Sequence, residues 1–362
     1  MRKFSSFLFE NFDPAAQAEN PQNPRRFLNG TCDCVFSRIA QVPAGTCHVS
    51  VFHADTIQTL VQGGILRLEG DAVLFDTPVF LKEDASILRE TMQARAGKLV
   101  ALLLPVMSRI RECLTPLDNG FPAEVNLYHI LCGMVFDGLF FDCLSNRNVV
   151  ATSRPHPSGL DYLSVIYERC PELDSLSDGL LCSYNRFTDG RCSLQSFGDS
   201  NGNRLDFYRF SRLLESGTLP HQWEHLRPDF ETYSRSDLLS QVRELIITGR
   251  CEAKALSLLT EFGYVSCGHP CVPVFTGSAF SAAEQIEKIV QTQCGDAFAE
   301  ALSPIPELTA AKHGVNPKEI ANELYHILFG SVNEKLIAEG LVASPPHIPG
   351  EGRYLKCIQL DI

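Results

Sequence analysis

The sequence predicts a helix-rich α+β chain built from an internal duplication, with a strand-rich segment between the two copies. Three observations carry this. First, the heptad Leu127-Tyr128-His129-Ile130-Leu131-Cys132-Gly133 returns as Leu324-Tyr325-His326-Ile327-Leu328-Phe329-Gly330, identical at six of seven positions. Second, further matches keep the same order along the chain: Leu60 to Ile65 with Leu259 to Tyr264, Pro78-Val79-Phe80 with Pro273-Val274-Phe275, Pro155-His156 with Pro346-His347, and Tyr162-Leu163 with Tyr354-Leu355. Collinear self-similarity of this kind is the signature of repeated structural units. Third, segments of helical period alternate with short β-patterned runs bounded by Gly, Asp and Pro.

Each copy begins with helical segments, Cys32 to Ala40 and Asp237 to Thr248. A short helix ending in glycine follows, Asp55 to Gly63 and Glu252 to Gly263, with Asp55 in position to cap the first. A hairpin comes next. In the first copy Ile65 to Glu69 alternates, Gly70-Asp71 turns, and Ala72 to Phe75 returns; the second has Tyr264 to Ser266, a turn around Gly268 to Pro270, and Cys271-Val272.

This order of helix, helix, short helix and hairpin resembles the winged helix-turn-helix superfamily, over Pro24 to Phe80 and again over Ser236 to Phe275. The resemblance lies in the pattern of elements. It implies two winged-helix-like modules followed by long packing helices.

Those helices are legible. Ile87, Leu88, Met92, Leu99, Leu103, Met107, Ile110 and Leu114 hold a buried stripe at helical spacing, bent at Pro105. In the second copy Asn316-Pro317-Lys318-Glu319 reads as a capping arrangement, with Asn316 as cap, Pro317 opening the helix and Glu319 reaching back. Between the copies, Leu180 to Tyr184, Cys192 to Phe197 and Leu205 to Phe210 read as a three-stranded antiparallel meander. The expected domains are therefore 1–170, a β-rich 171–230, and 231–362.

The chain has 362 residues, 44% of them hydrophobic and 20% charged, enough apolar material for a large core. Its net charge of −12 repels nucleic acid and anionic lipid on average. Met1-Arg2-Lys3-Phe4 opens like a leader, but Ser5, Ser6, Glu10 and Asp13 interrupt it, and no export signal is read. The apolar runs Leu99 to Met107 and Leu127 to Leu144 read as too short or too interrupted to cross a bilayer. Fourteen cysteines, scattered through apolar patterns, fit buried thiols in the reducing cytoplasm.

Motifs that carry chemistry are few. The repeated Tyr128-His129 and Tyr325-His326 suggest acid-base work, but residues shared by both copies are more simply explained by shared packing. His156 and His347 stand in Pro/Gly-rich loops and are the candidate ligand or partner residues. Cys267, His269 and Cys271 offer zinc its preferred donors, although the spacing is poor and neither Cys32-Asp33-Cys34 nor any CxxC completes a site. Asp199 to Asn203 opens like a calcium loop, then fails at Arg204 and Phe210. No phosphate loop, dinucleotide fingerprint or nucleophile elbow occurs.

If the modules read DNA, the contacting residues are Gln58, Gln62, Arg67, Arg250 and Lys254. The first short helix, however, has no cation and begins with Asp55, and the second sets Lys254 and Arg250 against Glu252 and Glu261. The expectation is a non-catalytic cytosolic regulatory protein that binds a protein or small molecule, with a homodimer as the candidate assembly and no membrane partner. A DNA-binding regulator and an enzyme with its site near His156 or His347 are the alternatives.

Overall fold

The computed structural model describes every residue except 13–16, 18, 29, 157, 158, 201 and 362. The chain is mixed α+β, about 51% helical and 17% strand, with several small sheets. Its strands in chain order are β1 (Phe4–Glu10), β2 (Leu66–Glu69), β3 (Ala72–Phe75), β4 (Val79–Phe80), β5 (Arg154–Pro155), β6 (Asp161–Glu168) and β7 (Leu181–Thr188). There follow β8 (Cys192–Asp199), β9 (Val265–Ser266), β10 (His269–Pro270), β11 (Val274–Phe275), β12 (His347–Ile348) and β13 (Gly352–Leu360).

Two compact units make up the chain, each assembled from three segments. The first unit takes Met1–Gly97, Asp142–Ser177 and Asp296–Leu328; the second takes Lys98–Phe141, Asp178–Gly295 and Phe329–Ile362. Both draw on each half of the sequence, a division that the expected consecutive domains 1–170, 171–230 and 231–362 do not follow.

In the first unit β6 is the centre of a sheet, with β1 antiparallel on one side and β4 parallel on the other, while β5 folds back on the start of β6. Helix Asp33–Ile39 buries Val35, Phe36 and Ile39, and Phe36 packs edge-on to Phe4 of β1 at 5.5 Å between ring centroids. Helix Ala54–Gln62 leads into the β2–β3 hairpin. The chain ahead of that helix adds to the hairpin, through a bridge between His48 and Ala72 and a hydrogen bond from Val73 N to Cys47 O of 2.8 Å. The opening turns of helix Pro317–Ala338 cover the sheet: Phe9 stacks on His326 at 5.0 Å, and the Tyr167 hydroxyl donates to Glu323 at 2.7 Å. Asn316 caps this helix as the sequence predicts, Oδ1 accepting from Lys318 N at 3.0 Å. Glu319 does not reach back to the cap, because Arg154 draws its carboxylate away at 3.3 Å.

In the second unit β13 is central, with β11 parallel on one side and β8 antiparallel on the other; β7 extends the sheet beyond β8, and β12 folds back on the start of β13. Phe207, Phe210, Trp223, Leu239, Val242, Leu258 and Phe262 fill its core. The expected third strand of the meander is instead a helix, Phe207–Glu215. Asp206 decides this: its carboxylate accepts from Arg209 N at 2.7 Å, a side-chain N-cap that starts the helix, and Phe207, Phe210 and Ser211 then bury at helical spacing. The strand pairing with β8 on its other side is β13, from the C-terminal segment.

Pro105 terminates helix Ala85–Leu103 through a 3₁₀ turn before Met107–Glu112 resumes, since proline offers no N–H to the ladder. Helix Ala123–Asn146 is longer than its apolar run suggests, and Tyr128–Leu139 within it is π-helical. Among the described residues it is the one helix long and apolar enough to cross a membrane, and 67% of its most apolar window is buried inside the protein.

Candidate functional site

The residues singled out in the sequence fall mainly on two helix-hairpin faces. On the first, Ile57 and Leu60 pin helix Ala54–Gln62 to the unit, leaving Asp55, Gln58, Thr59 and Gln62 exposed. Asp55 is not the cap: the helix begins at Ala54 after His53, so the carboxylate sits in the first turn and complements the helix dipole from there. Gly63 has no room for a side chain, because a Cβ would lie 2.4 Å from the Phe27 ring, and the left-handed exit falls to Gly64 at φ +63°.

Arg67, on β2, is the one Lys or Arg between residues 53 and 75. Its guanidinium is already engaged, donating to Phe75 O at 3.0 Å, to His313 O at 2.5 Å and to Glu69 at 2.9 Å. The neighbouring His313 ring accepts from Phe75 N at 3.3 Å, and burial, reinforced by the Arg67 charge, lowers its pKa to about 4. Arg67 therefore ties the hairpin to residues 313–314 of its own unit.

On the second face, Ala255, Leu258 and Leu259 bury helix Ala253–Glu261. Lys254 is exposed and 3.8 Å from Asp229, Arg250 is exposed just before the helix, and Glu252 accepts from the Tyr233 hydroxyl at 2.8 Å. The β9–β10 turn is narrower than expected: Cys267 and Gly268 alone turn the chain, both left-handed at φ +51° and +81°, as a two-residue hairpin loop requires. Cys267, His269 and Cys271 are all exposed on this hairpin, and Cys271 Sγ donates to Gly263 O at 3.5 Å. Among the described residues no three His, Cys, Asp or Glu side chains gather as a metal set.

The two loop histidines differ. His156 is buried, stacked on Tyr162 at 3.8 Å with Nε2 donating to Tyr162 O at 3.0 Å, and burial lowers its pKa. That ring is used in packing; Pro157 and Ser158 of its loop lie outside the described residues. His347 is exposed on β12, opposite Arg353. The repeated histidines are core residues: His326 Nδ1 donates to Asn322 O at 2.8 Å, while His129 is fully buried beside Phe275 with no hydrogen-bond partner for either ring nitrogen among the described residues.

Sequence reasoning missed two buried groups. One is Glu323, three residues before His326, whose carboxyl is pushed up to about 7 by burial, opposed in part by the Tyr167 hydroxyl. The other surrounds Arg204. Arg204 is 1% exposed, and its guanidinium donates to Ser196 O at 3.0 Å and to Asp199 O at 2.6 Å, while Asp199 holds Arg353 at 2.9 Å and Arg353 holds Glu334 at 2.7 Å. Asp206 closes the group, accepting from Ser196 Oγ at 2.6 Å and Asn185 at 2.9 Å. The signal was there in the acids on either side of Arg204, in a segment read as a calcium-like turn. Asn201 of that turn lies outside the described residues, and Gly202 is needed because a Cβ would meet Glu351 O at 2.7 Å. A cavity of about 80 Å³ in the first unit lies among Phe4, Ser6, Leu28, Asp33 and Phe36.

No protein family, curated protein or solved structure matches this chain.

Proposed function

We propose that the chain is a non-catalytic regulatory protein of the reducing cytosol, built on two copies of one winged-helix-like module that bind a protein or small-molecule partner. The duplication draws support from matching geometry. After Pro78 and after Pro273 a two-residue strand runs parallel to a central strand, and in each case an isoleucine amide, Ile166 or Ile358, donates to the proline carbonyl at 2.9 Å. Each central strand also has a two-residue antiparallel partner just before it, β5 or β12. A winged module is favoured by the Cys47–His48 segment that joins the first hairpin ahead of its short helix.

One observation carries the preference for a partner over nucleic acid. Phosphate binding needs available cations, and Arg67, the one cation of the first helix-hairpin face, is committed to Phe75 O, His313 O and Glu69. What that face offers outward is Asp55, Gln58, Thr59 and Gln62, a neutral-to-acidic polar surface. The fourteen thiols fit a reducing compartment; seven are buried and three exposed. A DNA-binding regulator is the second reading, resting on exposed Arg250 and Lys254.

Selection from a randomised duplex pool tests this, run at about 50 mM salt, where phosphate contacts are strongest. The expected result is no enriched sequence. Enrichment of one motif, lost on Arg250→Ala or Lys254→Ala, would replace the partner reading with the DNA reading.

A further inference from the structure

The two sheets differ in one place. In the second unit every residue of β8 is buried, and β7 pairs along its outer edge: Phe187 opposite Leu194, Asn185 opposite Ser196, and Ser183 opposite Gly198. In the first unit the strand in the corresponding position is β1. Every residue of β1 is only half-buried, and its one strand neighbour among the described residues is β6.

Hydrogen-bond parity shows which groups of β1 face outward. Arg169 N donates to Lys3 O at 2.7 Å and Asn11 N donates to Asp161 O at 2.9 Å, so the odd-numbered residues are those bonded to β6. The even-numbered residues turn their backbone groups away from it. Phe4 is capped, its N–H donating to the Asp33 carboxylate at 3.1 Å. Among the described residues no backbone partner covers the outward groups of Ser6, Leu8 and Glu10, and they correspond to Leu194, Ser196 and Gly198, which β7 covers in the second unit.

We infer that this edge is a strand-addition surface and that its occupant is β1 of a second copy of this chain, paired antiparallel about a two-fold axis at Leu8. The inference rests on reading the two sheets as counterparts. Two features select a second copy. Parity permits the register, because residues whose numbers sum to sixteen place Ser6 against Glu10 of the partner subunit and Leu8 against itself, all with outward backbone groups. That same register sets Phe7 against Phe9 of the partner subunit, an aromatic cross-strand pair of the kind that stabilises antiparallel strands. Asp33 fixes where pairing stops, since Phe4 N is already used. The interface is isologous, closes on itself and hides an edge that would otherwise invite open-ended association.

Light scattering coupled to gel filtration, together with amide exchange on the full chain, tests the inference. The expected species is a dimer at about 100 μM that dissociates on dilution. On dilution the amides of Ser6, Leu8 and Glu10 lose protection, while those of Ser5, Phe7 and Phe9, bonded to β6, keep theirs. Ser6→Pro removes an outward N–H at an edge position where proline is tolerated. It should raise the dimer dissociation constant roughly thirtyfold, because each substitution counts twice across the axis, with the circular dichroism of the wild type. A monomer at every concentration overturns the inference, as does a dimer indifferent to Ser6→Pro. So does protection of the three amides that stays constant on dilution. None of these results bears on the choice between partner and DNA, which the duplex selection decides.

Discussion

Glu323 is enclosed by the first unit with the Tyr167 hydroxyl as its recorded partner, and burial raises its pKa from 4.5 to about 7. The folded state therefore binds this proton more tightly than the unfolded chain. The stabilisation is complete below about pH 4.5 and is lost as pH rises through 7, a span on the order of 3 kcal/mol. Glu323→Gln keeps the acceptor for Tyr167 and removes the titration, so urea unfolding at pH 5 and pH 8 should differ less in the variant, which should be the more stable protein at pH 8. His129 behaves in the opposite sense. Burial lowers its pKa from 6.5 to about 3, opposed in part by the Lys356 backbone, so the neutral ring favours folding above pH 6.5 and that contribution falls away in acid. Neither ring nitrogen has a well-formed hydrogen bond among the described residues, the Lys356 backbone giving only partial compensation, so His129→Phe should raise stability by about 1–3 kcal/mol at pH 7, read from the urea midpoint. The repetition of Tyr-His was plain in the sequence, but the place of each ring in the core was not, because the letters do not show what a side chain packs against. Glu323 went unnoticed for a related reason: an acid in an apolar helix stands out only once the surroundings of its carboxyl are known.

Local rules at the element scale did well where a cap or breaker was present. Asn316-Pro317 starts its helix, Pro105 ends one, and Gly70-Asp71 turns the first hairpin. They failed where strand and helix patterns overlap. Leu205 to Phe210 alternates like a strand, but Asp206 as a buried cap with three acceptor contacts outweighs that alternation. Asp206→Ala should destabilise the protein by about 2–4 kcal/mol, combining loss of the cap with exposure of unpaired donors, as thermal unfolding would show. Phe4 to Glu10 forms β1 although Ser5 and Ser6 interrupt its apolar run and blur the strand pattern. The helix Ala123–Asn146 gives a sharper test of packing through two glycines. A Cβ on Gly133 would lie 2.3 Å from the Tyr184 ring, whereas one on Gly138 meets nothing within 4 Å. Gly133→Ala should cost about 1–3 kcal/mol by overpacking. Gly138→Ala should gain up to about 1 kcal/mol in helix propensity. The two unfolding curves should move in opposite directions.

For the whole molecule, the ordered internal matches were legible, yet the units were not, because no local rule says which segment of a chain a helix packs with. Residues 296–328 of the second half contribute to the first unit, and residues 98–141 of the first half contribute to the second. The net charge is −12, and no cation lies from Asp55 to Gln62, which leaves Arg67 as the one cation of the first helix-hairpin face. The structure adds that Arg67, the exception, is spent internally. Arg67→Ala should thus lower stability while leaving any nucleic-acid affinity unchanged. The most direct measurement of the central claim is the association constant for a short random-sequence duplex, followed from about 50 to 200 mM salt. The expected result is weak binding with a logarithmic slope close to zero. Micromolar or tighter binding at physiological salt with a slope of about −6 or steeper would contradict it and favour the reading of a DNA-binding regulator.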